Sequence, residues 1–179
     1  PIDVVHRVFQ LGQQYSWHIQ SYVDDHLLCH HKNWQSNHYE QQTGAVAEFL
    51  GDTIYTLSSE PNKLIAIDTE EGIDRIIDIL TPLVGNQVTL VRSQRDFLEI
   101  TAPNVSKGRA LAQLALDNNL SLENIVSFGN AENDISMLSE TGYSVAVSNA
   151  TEHVKSVANE VCGHHNEDGV AHWIEKNLL

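Results

Sequence analysis

The stretch VSKGRALAQLALDNNLSLENIVSFGNAENDISML, residues 105–138, decides how this chain is read. Lys107-Gly108 opens an apolar-periodic helix predicted over 107–117, and a short apolar strand follows at Ile125-Val126-Ser127-Phe128. The strand runs into Gly129-Asn130-Ala131-Glu132-Asn133-Asp134, and a second helix is predicted over 134–139. Polar and acidic groups at the carboxyl end of a buried parallel strand, beside a helix N-terminus, make an α/β ligand site. No other part of the chain gathers lysine, asparagine and aspartate around a strand end in this way.

Downstream the alternation continues. A strand is predicted at 144–147, a helix at 151–158 begun by Thr151, and a closing helix at 169–178. Such alternation predicts a parallel sheet with helices on its faces. Upstream the rhythm is different. Val4, Val5, Val8 and Leu11 give a helix over 2–14, and residues 15–23 and 26–29 read as a hairpin turning at Asp24-Asp25. Residues 33–49 are polar and only weakly helical. A strand at 63–68, a helix at 72–83 and strands at 87–91 and 97–101 complete the front half. The fold class is therefore α/β. A mixed α/β domain covers 1–101 and a domain of parallel strands covered by helices spans 102–179, with Ala102-Pro103-Asn104 as the linker.

A hydrophobic share of 41% and a charged share of 19% over 179 residues place the chain among globular proteins long enough to bury a core. A formal net charge of −14 argues against a nucleic-acid partner or an anionic membrane surface. It does not exclude a phosphate ester, because one lysine and a metal ion reverse the sign locally. Cys29 and Cys162 lie in unrelated contexts, so neither a disulfide framework nor a zinc pattern follows, and a reduced, cytoplasmic setting is expected. No membrane span or signal peptide is visible. The chain opens at Pro1 rather than methionine, as a piece of a longer product would.

Individual residues carry two readings each. Lys107 opens a helix, where the dipole disfavours a cation, so it holds a phosphate oxygen or is a solvated surface lysine. Asn130, Asn133 and Asp134 offer hard oxygen donors that suit magnesium, while Asp134 equally suits a helix N-cap or first-turn acid. His26, His30, His31 and His38 lack a second paired set at zinc spacing and read as a solvated hairpin, as do His164 and His165 beside Cys162. Asp68-Thr69-Glu70-Glu71-Gly72 mimics a phosphatase nucleophile loop, but its second acid is glutamate and Thr69 or Asp68 reads as a helix cap.

Assembled in order, these residues closely resemble the haloacid dehalogenase superfamily, in its Cof-type sugar-phosphatase branch. The resemblance covers nearly the whole chain. It rests on Val105-Ser106-Lys107-Gly108, on Phe128-Gly129-Asn130-Ala131-Glu132-Asn133-Asp134-Ile135-Ser136-Met137-Leu138, on Val147-Ser148-Asn149-Ala150 with Lys155, and on Glu167-Asp168-Gly169-Val170. It implies a substrate-selecting α/β cap over the front half and the C-terminal part of a Rossmann-like core after it. It also implies an aspartate nucleophile with a second aspartate as general acid/base, while magnesium and a lysine neutralise the phosphoryl charge. Carried over residue by residue, Lys107 stabilises the phosphate with Asn133 beside it, Asn130 and Asp134 serve the metal, and Asn149 lines the substrate side.

Two departures qualify the resemblance. Asn130 stands where the family has a metal-binding aspartate, which removes one charge from the magnesium site. No Asp-x-Asp-Gly-Thr segment occurs among the 179 residues. The expectation is a fragment of a magnesium-dependent phosphatase of small phosphate monoesters, silent by itself and self-associating through exposed core. The alternative is a non-catalytic protein that binds a phosphorylated ligand or a partner.

Overall fold

Strict alternation along Lys63–Ile67 places Leu64 and Ala66 on one face of a strand and Ile65 and Ile67 on the other, and all four are buried. A strand apolar on both faces belongs at the centre of a covered sheet, and the computed structural model, which describes residues 1–179, puts it there. The backbone divides into two units, Pro1–Asn104 and Val105–Leu179.

In unit 1 the elements are α1 (Ile2–Tyr15), β1 (His18–Val23), β2 (His26–Cys29), α2 (Trp34–Thr43), β3 (Ala47–Phe49), β4 (Lys63–Ile67), α3 (Glu70–Val84), β5 (Thr89–Gln94) and β6 (Phe97–Thr101). Six strands form one sheet in the order β3-β2-β1-β4-β6-β5, with every pair antiparallel except β2–β3. One face packs Leu64, Leu98 and Ile100 against Val8 and Phe9 of α1 and Ile73, Ile76 and Leu80 of α3. The opposite face packs Leu27, Cys29, Ile65, Ile67 and Phe97 against Tyr39 of α2. Burial pushes the Cys29 thiol up to about 12.

The hairpin turn at Asp24-Asp25 has both residues at positive φ, 49° and 65°, the backbone that a two-residue hairpin of this twist requires. Several boundaries differ from the sequence expectation, among them the strand expected at 87–91, which is Thr89–Gln94. Tyr15 belongs to α1, because Ser16 takes the left-handed conformation at φ 58° and closes the helix one residue later. Asn33 caps α2 with its side chain, so the polar stretch 33–49 holds a ten-residue helix and then the short β3. Thr69 accepts from the Gly72 N–H, and α3 begins at Glu70 rather than at Gly72.

Unit 2 contains α4 (Lys107–Asp117), β7 (Val126–Gly129), α5 (Ile135–Glu140), β8 (Tyr143–Val147), α6 (Glu152–Val157), β9 (Glu160–Cys162) and α7 (Gly169–Asn177). The three strands are parallel in the order β7-β8-β9, so all three carboxyl ends share one rim. A small core of Leu138, Ala146, Val147, Ala150 and Val154 lies beneath it. Strand β9 was not expected, since three residues carry too little periodicity to register. No helix in the chain is long and apolar enough to cross a membrane.

Candidate functional site at the rim of the parallel sheet

Ser106 caps α4 by accepting from the Arg109 N–H, which makes Lys107 the first helical residue. The next N–H, that of Gly108, donates to the Ser136 hydroxyl at 3.1 Å. A Cβ at Gly108 would stand 2.6 Å from the Ser136 carbonyl oxygen, so only glycine lets α4 approach α5 this closely. That approach brings the Lys107 ammonium onto the Asp134 carboxylate as a salt bridge.

Asp134 is buried, and Gly129 makes room for it: a Cβ there would lie 2.7 Å from the Asp134 Cβ. One carboxylate oxygen accepts from Lys107. The other accepts from the backbone N–H groups of Asn130 at 2.8 Å and Ala131 at 3.0 Å, which ties the loop after β7 into a closed turn. Burial alone would raise the Asp134 pKa, but the Lys107 hydrogen bond and the two backbone donors outweigh it and hold the carboxyl below its ordinary value. The Lys107 side chain remains 51% exposed. Its ammonium has three protons and spends one on Asp134, its one hydrogen-bond partner in the protein, leaving two free.

The other expected site residues fall around this pair. Asn130 is exposed at the end of β7. The Asn133 side-chain oxygen is buried without a hydrogen-bond partner. These residues do not by themselves fit a magnesium ion. Three of the roughly four acceptor positions on Asp134 are taken and its charge is met by Lys107. The remaining donors are neutral amides, where magnesium usually takes one or two carboxylates.

Further along the rim, both atoms of the Asn149 amide are committed to His165. Asn149 Oδ1 accepts from the His165 backbone N–H at 3.2 Å, and Nδ2 donates to His165 Nδ1 at 2.8 Å. Glu132 accepts from Thr151 at 3.1 Å and from His153 at 2.8 Å, fastening the loop after β7 to the start of α6. His165 was read in the sequence as a solvated histidine, and Glu132 was not singled out within its loop. Their partners lie 16 to 21 residues away, beyond the reach of any local pattern.

In unit 1 the phosphatase-like segment at Asp68 folds as a helix start, with Asp68 Oδ1 accepting from the Thr69 N–H at 2.8 Å. The histidines do not stand alone in solvent. His26 pairs with Glu48, His38 with Asp96, and His30 with both Asp52 and His31. Trp17, His18, His30 and His31 line a cleft of about 270 Å³. Beneath it His18 is held in a buried chain. The Ser36 N–H donates to Asn33 Oδ1, so Asn33 Nδ2 donates to His18 Nδ1 and the ring's Nε2–H donates to Gln20 Oε1 at 3.2 Å. Gln20 Nε2 is left buried without a partner.

Comparison with known proteins adds to this geometry. A family model described as haloacid dehalogenase-like hydrolase matches residues 1–174. The crystal structure of TM0651 from Thermotoga maritima covers 100% of this chain and 67% of its own, at 31% identity and a TM-score of 0.82. Phosphatase YwpJ of Bacillus subtilis is 42% identical over 95 residues, 53% of this chain. The chloroplastic endoribonuclease YBEY of Arabidopsis thaliana is 32% identical over 140 residues, 68% of this chain. The matched segments span only 33% and 24% of those two relatives.

Proposed function

The chain belongs to the haloacid dehalogenase-like hydrolases, and on that premise we propose that unit 2 is the phosphate-anchoring part of a phosphatase of small phosphate monoesters. Lys107 takes the phosphoryl group. Its two free N–H donors meet phosphoryl oxygens, where negative charge gathers during transfer. Asp134 is the positioning group that fixes the ammonium and closes the loop, and Asn133 and Asn130 supply neutral amides beside it. Phosphatase YwpJ among the relatives supports the reaction class.

One observation carries this reading: a buried carboxylate, already satisfied by two backbone donors, holds a half-exposed lysine at the carboxyl end of a parallel strand. A solvated surface lysine needs no such anchor. Magnesium, the general cofactor of such phosphatases, would require carboxylates that this loop does not offer. Without an Asp-x-Asp-Gly-Thr segment among the 179 residues, this polypeptide binds phosphate but does not turn over phosphate esters.

The test is inorganic phosphate binding by calorimetry beside phosphate release from p-nitrophenyl phosphate. Binding that falls at least tenfold in Lys107→Ala, with no release by either protein, is the expected result. Binding indifferent to Lys107→Ala would sink the anchor. Release abolished by Lys107→Ala would overturn the silence and put Asp68 and Asp134 under suspicion as nucleophiles.

A further inference from the structure

Two pairs of histidines adjacent in the sequence use their ring nitrogens in different ways. In unit 2, His164 Nδ1 accepts from the Asn166 N–H at 3.1 Å and His165 Nδ1 from the Asn149 amide at 2.8 Å, so the two nitrogens are engaged separately. In unit 1, the Nδ1 atoms of His30 and His31 stand 2.5 Å from each other. Two ring lone pairs repel, so that contact needs a proton or a cation between them. The rest of His30 is fixed. Its Nε2–H donates to Asp52 Oδ1 at 2.9 Å, because a carboxylate only accepts, and Nδ1 is left to face His31. The Tyr55 ring lies against the imidazole with centroids 5.1 Å apart, and the Gly51 N–H holds the His30 carbonyl at 2.9 Å.

We propose that His30 and His31 bind a late first-row divalent metal ion through their Nδ1 atoms, at the cleft they line with Trp17 and His18. The ion takes the place of the proton between the rings: an N–H bond breaks, the proton leaves to water, and a nitrogen–metal bond forms. Imidazole nitrogens suit nickel, copper and zinc rather than magnesium. Bonds of about 2.0–2.1 Å from one ion set two such nitrogens roughly 3 Å apart, so the rings part by less than about 1 Å. His31 is exposed and makes that shift, while His30 stays in place. Asp52 behind His30 is the outer carboxylate that orients a metal-binding imidazole. No third histidine, cysteine or carboxylate joins the pair as a ligand. His18 cannot, since Asn33 and Gln20 occupy both of its ring nitrogens. Water fills the remaining positions, and the cleft of about 270 Å³ has room for it. A net charge of −14 favours any cation, and the two nitrogens select which.

Calorimetric titration of the whole chain with Ni²⁺ tests the site, with Mg²⁺ as the competitor that nitrogen donors should not hold. The tightest Ni²⁺ site should lose at least about tenfold in affinity in His31→Ala, since removing even an outer partner of a metal ligand costs that much. His164→Ala, which alters the other adjacent pair, should leave that site unchanged. Copper locates the ion independently of any substitution. At less than one Cu²⁺ per chain, paramagnetic broadening should reach the ring signals of His30, His31 and Tyr55 before those of any other histidine. Ni²⁺ affinity indifferent to His31→Ala, an equal loss in His164→Ala, broadening that begins elsewhere, or displacement of Ni²⁺ by equimolar Mg²⁺ would each overturn the assignment. None of these outcomes depends on the phosphate anchor at Lys107, which belongs to unit 2.

Discussion

Two asparagines in this protein each hold a histidine by the same rule, and the two pairs have opposite surroundings. Asn33 accepts from a backbone N–H and donates to His18 Nδ1, and Asn149 does the same for His165. His18 is buried, and its Nε2–H is consumed by Gln20. His165 is exposed, and its ring is held only by Asn149. One local device thus becomes part of a core when covered and a surface loop clasp when open. Burial, not the pairing itself, decides between the two.

The comparison can be broken most sharply at Asn33. In Asn33→Ala, α2 loses its cap and His18 Nδ1 is left buried without a donor, so unit 1 should lose about 2–3 kcal/mol. Urea unfolding followed by amide exchange on β4 would measure this, and a loss under about 0.5 kcal/mol would show that the buried pair is ornamental.

Acid is the next lever. Burial lowers the His18 pKa below its usual 6.5. Above 6.5 the ring is neutral in both the folded and unfolded chain, and no stability is lost. Below it the unfolded chain takes up a proton that the folded chain refuses, so stability falls with pH by at most about 1.4 kcal/mol per unit until the folded pKa is reached. Asp134 has the same sign in a lower window. Its depressed pKa stabilises unit 2 above the ordinary carboxylate value near 3.9, and that contribution disappears as pH falls through the folded pKa. Exchange measured from pH 7 to 3 should therefore show β1 weakening before β7. Simultaneous loss in both units would argue against His18 as the cause.

The smallest effect belongs to the open pair. Asn149→Ala removes contacts that water can replace, and unit 2 should lose less than about 1 kcal/mol in thermal unfolding. A larger loss would mean that the pair is structural after all.

Much of the architecture could be read from the sequence because its signals are local. The span 107–117 was expected as a helix and is one, bounded by the Ser106 cap. The 63–68 stretch was read as a strand, and its alternation of buried residues explains its central place. The misses were elements whose reasons are not local. Ala47–Phe49 and Glu160–Cys162 are strands only because β2 and β8 lie alongside to receive their hydrogen bonds. At the site, the types and spacing of Lys107, Asn130, Asn133 and Asp134 drew attention to the loop in which Lys107 meets Asp134. Their division of labour did not show, because the two backbone donors that engage Asp134 have no side-chain signature. His165 was read as solvated, because its contacts run to the Asn149 amide sixteen residues away and leave no local pattern.

The two cysteines are divided between the units, Cys29 buried in the sheet of unit 1 and Cys162 partly exposed at the end of β9. An alkylating reagent reacts with the thiolate, and burial holds Cys29 in its thiol form up to about 12. Cys29 should therefore be labelled only when unit 1 opens, whereas Cys162 meets reagent in the folded protein. Mass spectrometry of a timed iodoacetamide reaction would then give the opening rate of the front unit from one peptide, with the other as an internal clock, in an unaltered chain.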